Sequence, residues 1–123
     1  GKDVYDLVRE DMEELDREHF CIIMLNVRNQ VIAREVVSVG GLNAAIVHPR
    51  EIFKNCIKKS AAAVILVHNH PSGQPDPSDE DIAVTKRVIE AGRIVGIDVL
   101  DHVIVGHGQY ISMRESFASW FKW

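Results

Sequence analysis

Ala61-Ala62-Ala63-Val64-Ile65-Leu66-Val67 leads straight into His68-Asn69-His70-Pro71-Ser72-Gly73, and Pro77-Ser78-Asp79-Glu80-Asp81 follows a few residues later. The first seven residues are apolar and uncharged, so they read as a strand buried on both faces of a sheet. Side chains two apart in an extended chain share a direction, which sets His68 and His70 side by side as the strand ends. Pro71, Gly73, Pro75 and Pro77 make a stiff loop that cannot continue the ladder. Ser78 has the features of a helix N-cap, and Asp79, Glu80 and Asp81 fill the first turn, where the helix dipole favours negative charge. Strand, rigid reversal and helix start together bring Asp81 toward two imidazoles.

Two neutral imidazole nitrogens and a carboxylate converging on one point suit a divalent cation. Three protein ligands with a fourth position left for water are the mark of a catalytic zinc site rather than a closed structural one. The competing reading is a capping box, in which Ser78-x-x-Asp81 only ties down the helix start. The histidines decide between them. Two imidazoles beside an acidic helix start are costly to bury without a shared ligand.

Written out, His68-x-His70, seven residues, Ser78, two residues, Asp81 resembles the metal-binding signature of the JAMM/MPN metalloprotease superfamily. The longer string His68-Asn69-His70-Pro71-Ser72-Gly73 with Pro77-Ser78-x-x-Asp81 resembles the bacterial RadC family, which is associated with DNA repair. Arg17-Glu18-His19-Phe20, Val47-His48-Pro49-Arg50-Glu51 and Leu100-Asp101-His102-Val103-Ile104-Val105-Gly106 fit the same pattern. The resemblance runs from about residue 15 to 112; the final Trp120-Phe121-Lys122-Trp123 lies outside it. It implies zinc held by His68, His70 and Asp81, with Ser78 stabilising an oxyanion or positioning the water. It also implies a glutamate near the first strand as general acid/base. Glu18, just ahead of the apolar run Phe20–Leu25, is the first choice; Glu35, on the strand face of Ala33 and Val37, is the competitor. A helix-hairpin-helix region usually precedes this domain in RadC proteins and none occurs here, so the chain is expected to be the C-terminal part of a longer protein.

The 123 residues suit one domain with a true core, and 46% apolar with 26% charged content is ordinary for a globular chain. The apolar runs are too short to span a bilayer. Cys21 and Cys56 lack CxxC spacing and are expected as free, buried thiols in a reducing cytoplasm. Net charge −4 argues against a broad grip on nucleic acid. The Lys54, Lys58, Lys59 stripe and the Lys86-Arg87 pair read as solvated helix faces.

Around the site, Val4, Leu7, Val8, Met12 and Leu15 recur at helical spacing and predict a helix over 3–16. Residues 19–27 and 31–39 read as a hairpin about Arg28-Asn29-Gln30. Pro49 opens a second helix with Ile52, Phe53, Cys56 and Ile57 inward. A third covers 78–95, with Ile82, Thr85, Val88 and Ile89 inward, and strands follow at Asp98–Val105 and Tyr110–Ser112. Phe117, Trp120 and Phe121 suggest a last helical turn that seals the core or meets a second copy of the chain. The whole is α/β: a single-domain mixed sheet between helical layers, a three-layer α/β/α sandwich as in JAMM/MPN domains.

His102 beside Asp101 reads first as a structural histidine. Asn69 and Ser72 are expected to hold the turn by bonds to the backbone. The leading function is a zinc-dependent peptidase or isopeptidase acting on a protein or peptide. The alternatives are a non-catalytic protein-binding scaffold and, on the string His-Asn-His alone, a metal-dependent nuclease. A zinc deaminase would need His-x-Glu and Pro-Cys-x-x-Cys, which the chain lacks.

Overall fold

The computed structural model describes residues 1–40 and 47–121. Its five strands are β1 (His19–Leu25), β2 (Val31–Val39), β3 (Ala63–Asn69), β4 (Asp98–Val105) and β5 (Tyr110–Ser112), in the spatial order β2-β1-β3-β4-β5. The helices are α1 (Lys2–Met12), α2 (Pro49–Lys58), α3 (Asp79–Val95) and the short α4 (Met113–Ser116), followed by a 3-10 turn at Ala118–Phe121. All neighbouring strands run antiparallel except β3 and β4, which are parallel and joined through α3. A parallel pair needs such a crossover, and the crossover puts the α3 N-terminus beside the carboxyl end of β3.

Strand alternation builds the two cores. Phe20, Ile22 and Met24 of β1, with Val64 and Leu66 of β3, pack against Ile52, Phe53 and Cys56 of α2 and Val84, Val88 and Ile89 of α3. Cys21, Ile23 and Leu25, with Ala63 and Val67, face the other way onto Tyr5, Val8 and Met12 of α1. This is the mixed sheet between helical layers that the sequence pattern implies. Cys21 and Cys56 lie in opposite cores, so the sheet separates these buried thiols.

Local chemistry sets the element ends. Asn26 ends β1 two residues before the predicted boundary, because its Oδ1 accepts the Arg28 and Gln30 N–H groups at 2.9 and 3.0 Å. Helix α1 stops at Met12, short of residue 16, and buries Tyr5, Val8 and Met12 while Leu7 is 49% exposed. Tyr5 takes the inward place because its ring stacks on Tyr110 at 4.8 Å and its hydroxyl donates to Glu13 at 3.1 Å. Ile57 also departs from its expected inward position: it is 62% exposed, while Cys56 fills the core. Gly96 ends α3 in the left-handed region at φ 78°.

At the C-terminal end, Phe121 is buried in the α2/α3 core and Phe117 stacks on Trp120 at 4.3 Å. The aromatics seal the core; Lys122 and Trp123 lie outside the described residues.

Candidate metal centre

Three side chains meet where β3 gives way to α3. His68 is the penultimate residue of β3; its Nε2 lies 3.0 Å from the Nε2 of His70 and 3.2 Å from Asp81 Oδ1. His70 is just past the strand, yet its N–H still donates to the Val105 carbonyl at 2.9 Å, so it keeps the strand's alternation. Its Nε2 lies 3.1 Å from Asp81 Oδ2. One donor atom from each of the three falls within 4.8 Å of the other two.

The capping box and the ligand cluster coexist. Ser78 Oγ accepts the Asp81 N–H at 3.1 Å, and the Ser78 N–H donates to Asp81 Oδ2 at 2.8 Å. The cap therefore fixes the carboxylate that faces the imidazoles. The loop between is pinned as well, since the Gly73 carbonyl accepts the His107 N–H at 3.1 Å and the Gln109 side chain at 2.8 Å. Gly106 allows this approach: a Cβ there would stand 2.3 Å from the Gly73 oxygen. Ser72 holds the turn as expected, accepting the Gln74 N–H at 3.3 Å.

Hydrogen bonds behind the histidines set their tautomers. Thr85, one helical turn beyond Asp81, donates its hydroxyl to the Asp81 carbonyl at 2.6 Å. The hydroxyl has one proton, and the Asp81 carbonyl is a closer and stronger acceptor than Met113 Sδ at 3.5 Å, so at 2.5 Å Thr85 Oγ1 accepts from His102 Nδ1. His102 Nε2 is then an acceptor, and at 2.7 Å it takes the proton of His68 Nδ1. Likewise His70 Nδ1 donates to the Gln74 carbonyl at 2.8 Å. Both Nε2 lone pairs are left pointing at each other and at a carboxylate. Second-layer partners that orient metal-bound imidazoles act in this way. The donor set, two nitrogens and one oxygen, fits a divalent metal cation.

The electrostatics agree with that fit. With protons in place of the cation, the Nε2 atoms become N–H donors: burial alone would raise the Asp81 pKa, but hydrogen bonds from His68, His70 and the Ser78 N–H reverse it and hold the carboxyl well below the usual range. His70 is raised, first by its bond to Asp81, against burial, and further by the Gln74 carbonyl and the charges of Asp81 and Glu18. His102 is pushed well below the ordinary imidazole value by complete burial, and the neighbouring His68 and His70 lower it further. It therefore stays neutral, as its place in the relay requires.

Glu18 is half-buried just ahead of β1, and its charge reaches the His70 ring. Glu35 stands opposite Ile22, which in turn faces Leu66, a row of side chains away from His68; its charge is felt by Cys56, whose thiol burial raises to about 11. Ser78 is exposed at the mouth of the site. His102 and Thr85 are the participants that the motif did not assign. Thr85 four residues after Asp81 was a usable signal, because it shares that helix face. Asp101, the neighbour of His102, bonds its backbone rather than its ring: the carboxylate accepts the His102 N–H at 2.7 Å, the Ser112 hydroxyl at 2.7 Å and the Arg114 N–H at 3.0 Å.

A mixed sheet between helices, with His-x-His at a strand end and Ser-x-x-Asp at the next helix start, defines an α/β domain of the JAB type with a site for a metal. The chain belongs to the RadC family: residues 1–118 match the RadC-like JAB domain. It is 60% identical over 113 residues to a UPF0758 protein of Desulforamulus reducens, covering 92% of this chain and 50% of that protein. A UPF0758 protein of Caldanaerobacter subterraneus subsp. tengcongensis is 59% identical over 114 residues, 93% of this chain and 49% of its own length. One from Methanosarcina barkeri is 53% identical over 114 residues, 93% of this chain and 50% of that protein. The chain thus spans about half the length of the curated relatives it matches. Among the described residues, no helix is long and apolar enough to cross a membrane.

Proposed function

We propose that this domain is a zinc-dependent hydrolase of peptide or isopeptide bonds. One observation carries the reading: His68 Nε2, His70 Nε2 and Asp81 converge on one point, with both imidazole tautomers set from behind. Zinc held there would lower the pKa of a water to about 7 and polarise a carbonyl. The chain's own residues do the rest. Glu18 takes the proton from the attacking water as oxygen adds to the carbonyl carbon, then delivers it to the departing amine nitrogen. Ser78, exposed at the mouth, donates its hydroxyl to the oxygen that gains charge. His102 and Thr85 keep His68 in the tautomer that presents Nε2 outward.

With net charge −4, a part in DNA repair is proposed through a protein partner rather than through DNA held by this domain. The buried thiols of Cys21 and Cys56 suit a cytoplasmic setting.

The test is incubation of the zinc-loaded chain with a proteome-derived peptide library, reading new amino termini by mass spectrometry. Cleavage by the wild type and loss of about 10²–10⁴-fold in Glu18→Gln, with zinc retained, is the expected result. Stoichiometric zinc with no new termini would favour the binding-scaffold reading instead.

A further inference from the structure

We infer that Asn69, the residue between the two histidines, is a positioning residue that holds Glu18 toward the metal centre. The inference rests on the hydrolytic reading, in which Glu18 carries the proton. Asn69 is 1% exposed, and its amide reaches across to the segment before β1. Its Oδ1 accepts the His19 N–H at 2.7 Å, and its Nδ2 donates to the Arg17 carbonyl at 2.9 Å.

Those two groups belong to the peptide planes on either side of Glu18. A residue's φ and ψ are the rotations between its flanking planes, so fixing both planes fixes the direction of its Cα–Cβ bond. A primary amide suits this task because it carries an acceptor and a donor on one flat head. The Gly40 N–H adds a third tie by donating to the Glu18 carbonyl at 2.8 Å. Residues 13–18 have no regular secondary structure, so the aim of Glu18 depends on such ties. The same tripeptide that supplies two metal ligands thereby sets the direction in which the Glu18 side chain leaves the backbone. Asn69 does not hold its own turn, as the sequence suggested; it holds the facing one.

The test uses Co²⁺ as the probe and a double-variant cycle of Asn69→Ala and Glu18→Gln. Each protein is loaded with Co²⁺, checked for one ion per chain, and titrated with base while its visible absorption is followed. Both single variants should move the titration midpoint in the same direction by similar amounts, on the order of one pH unit. The double variant should move it no further. An unchanged midpoint in Asn69→Ala, with only a lower melting temperature, would overturn the inference and leave Asn69 as a stabilising tie. An unchanged midpoint in Glu18→Gln would instead remove the underlying role of Glu18. If Asn69→Ala fails to bind Co²⁺, Asn69→Ser, polar but too short to span both groups, takes its place with the same expectations.

Discussion

Thr85→Val removes the hydroxyl that links His102 to α3 while keeping nearly the same volume, so its cost isolates the polar relay. Thr85 and His102 are both fully buried, out of reach of bulk solvent. The His102 Nδ1–H is left without an acceptor, and the Asp81 carbonyl loses its bond from the hydroxyl. One orphaned buried donor costs about 1–3 kcal/mol. For a domain of this size that lowers the melting temperature of metal-free protein by roughly 4–12 °C. A second effect follows through His68. With His102 free to change tautomer, His68 Nε2 is no longer held as the lone-pair nitrogen, and zinc affinity should fall about 10–100-fold. The assays are thermal melts in chelator and zinc competition against a chromophoric chelator. Thr85→Ser is the control: it loses about 1 kcal/mol of buried methyl but keeps wild-type zinc affinity. Wild-type zinc affinity in Thr85→Val, or an equal loss in Thr85→Ser, would refute the relay.

Three further outcomes follow. The raised pKa of His70 makes a proton compete with the cation, so apparent zinc affinity should rise about tenfold per pH unit below that pKa and level off above it, as a chelator competition series would show. Without metal the signs differ. The His70 contribution to stability is present in full below the unfolded imidazole pKa and is lost as pH rises through its raised folded value. The Asp81 contribution is present above the unfolded carboxyl pKa and is lost as pH falls through its depressed folded value. Melts in chelator should therefore peak between those ranges. Phe121→Ala should cost about 3–5 kcal/mol in urea titrations, because the ring fills the core behind α3.

The local part of this site was legible because β3, the loop and α3 are consecutive. Alternation placed His68 and His70 on one side, and the cap signal at Ser78 placed Asp81. Even the apparent rivalry between cap and ligand dissolves in space, since one carboxylate serves both. What stayed hidden depends on packing across distant segments. His102 reaches His68 across 34 residues of sequence, and Asn69 reaches His19 across 50. Nothing in either residue's own neighbourhood announces such a partner. Of the apolar stripe predicted for α1, Val8 and Met12 are buried and Val4 and Leu15 pack against the core as expected, and only Leu7 departs. Leu7 outranks Tyr5 in hydrophobicity, but the stacking of Tyr5 on Tyr110 and its bond to Glu13 decide which one is buried.

Zinc K-edge X-ray absorption on the zinc-titrated chain, with His68→Ala measured beside it, reads directly whether His68, His70 and Asp81 share one ion. The wild-type chain should hold one zinc, with two imidazole nitrogens at about 2.0–2.1 Å and a carboxylate oxygen at about 2.0–2.2 Å. His68→Ala should lose an imidazole from that shell or fail to retain the ion. Equal, negligible zinc in both proteins, or a shell that His68→Ala leaves unchanged, would contradict a shared site.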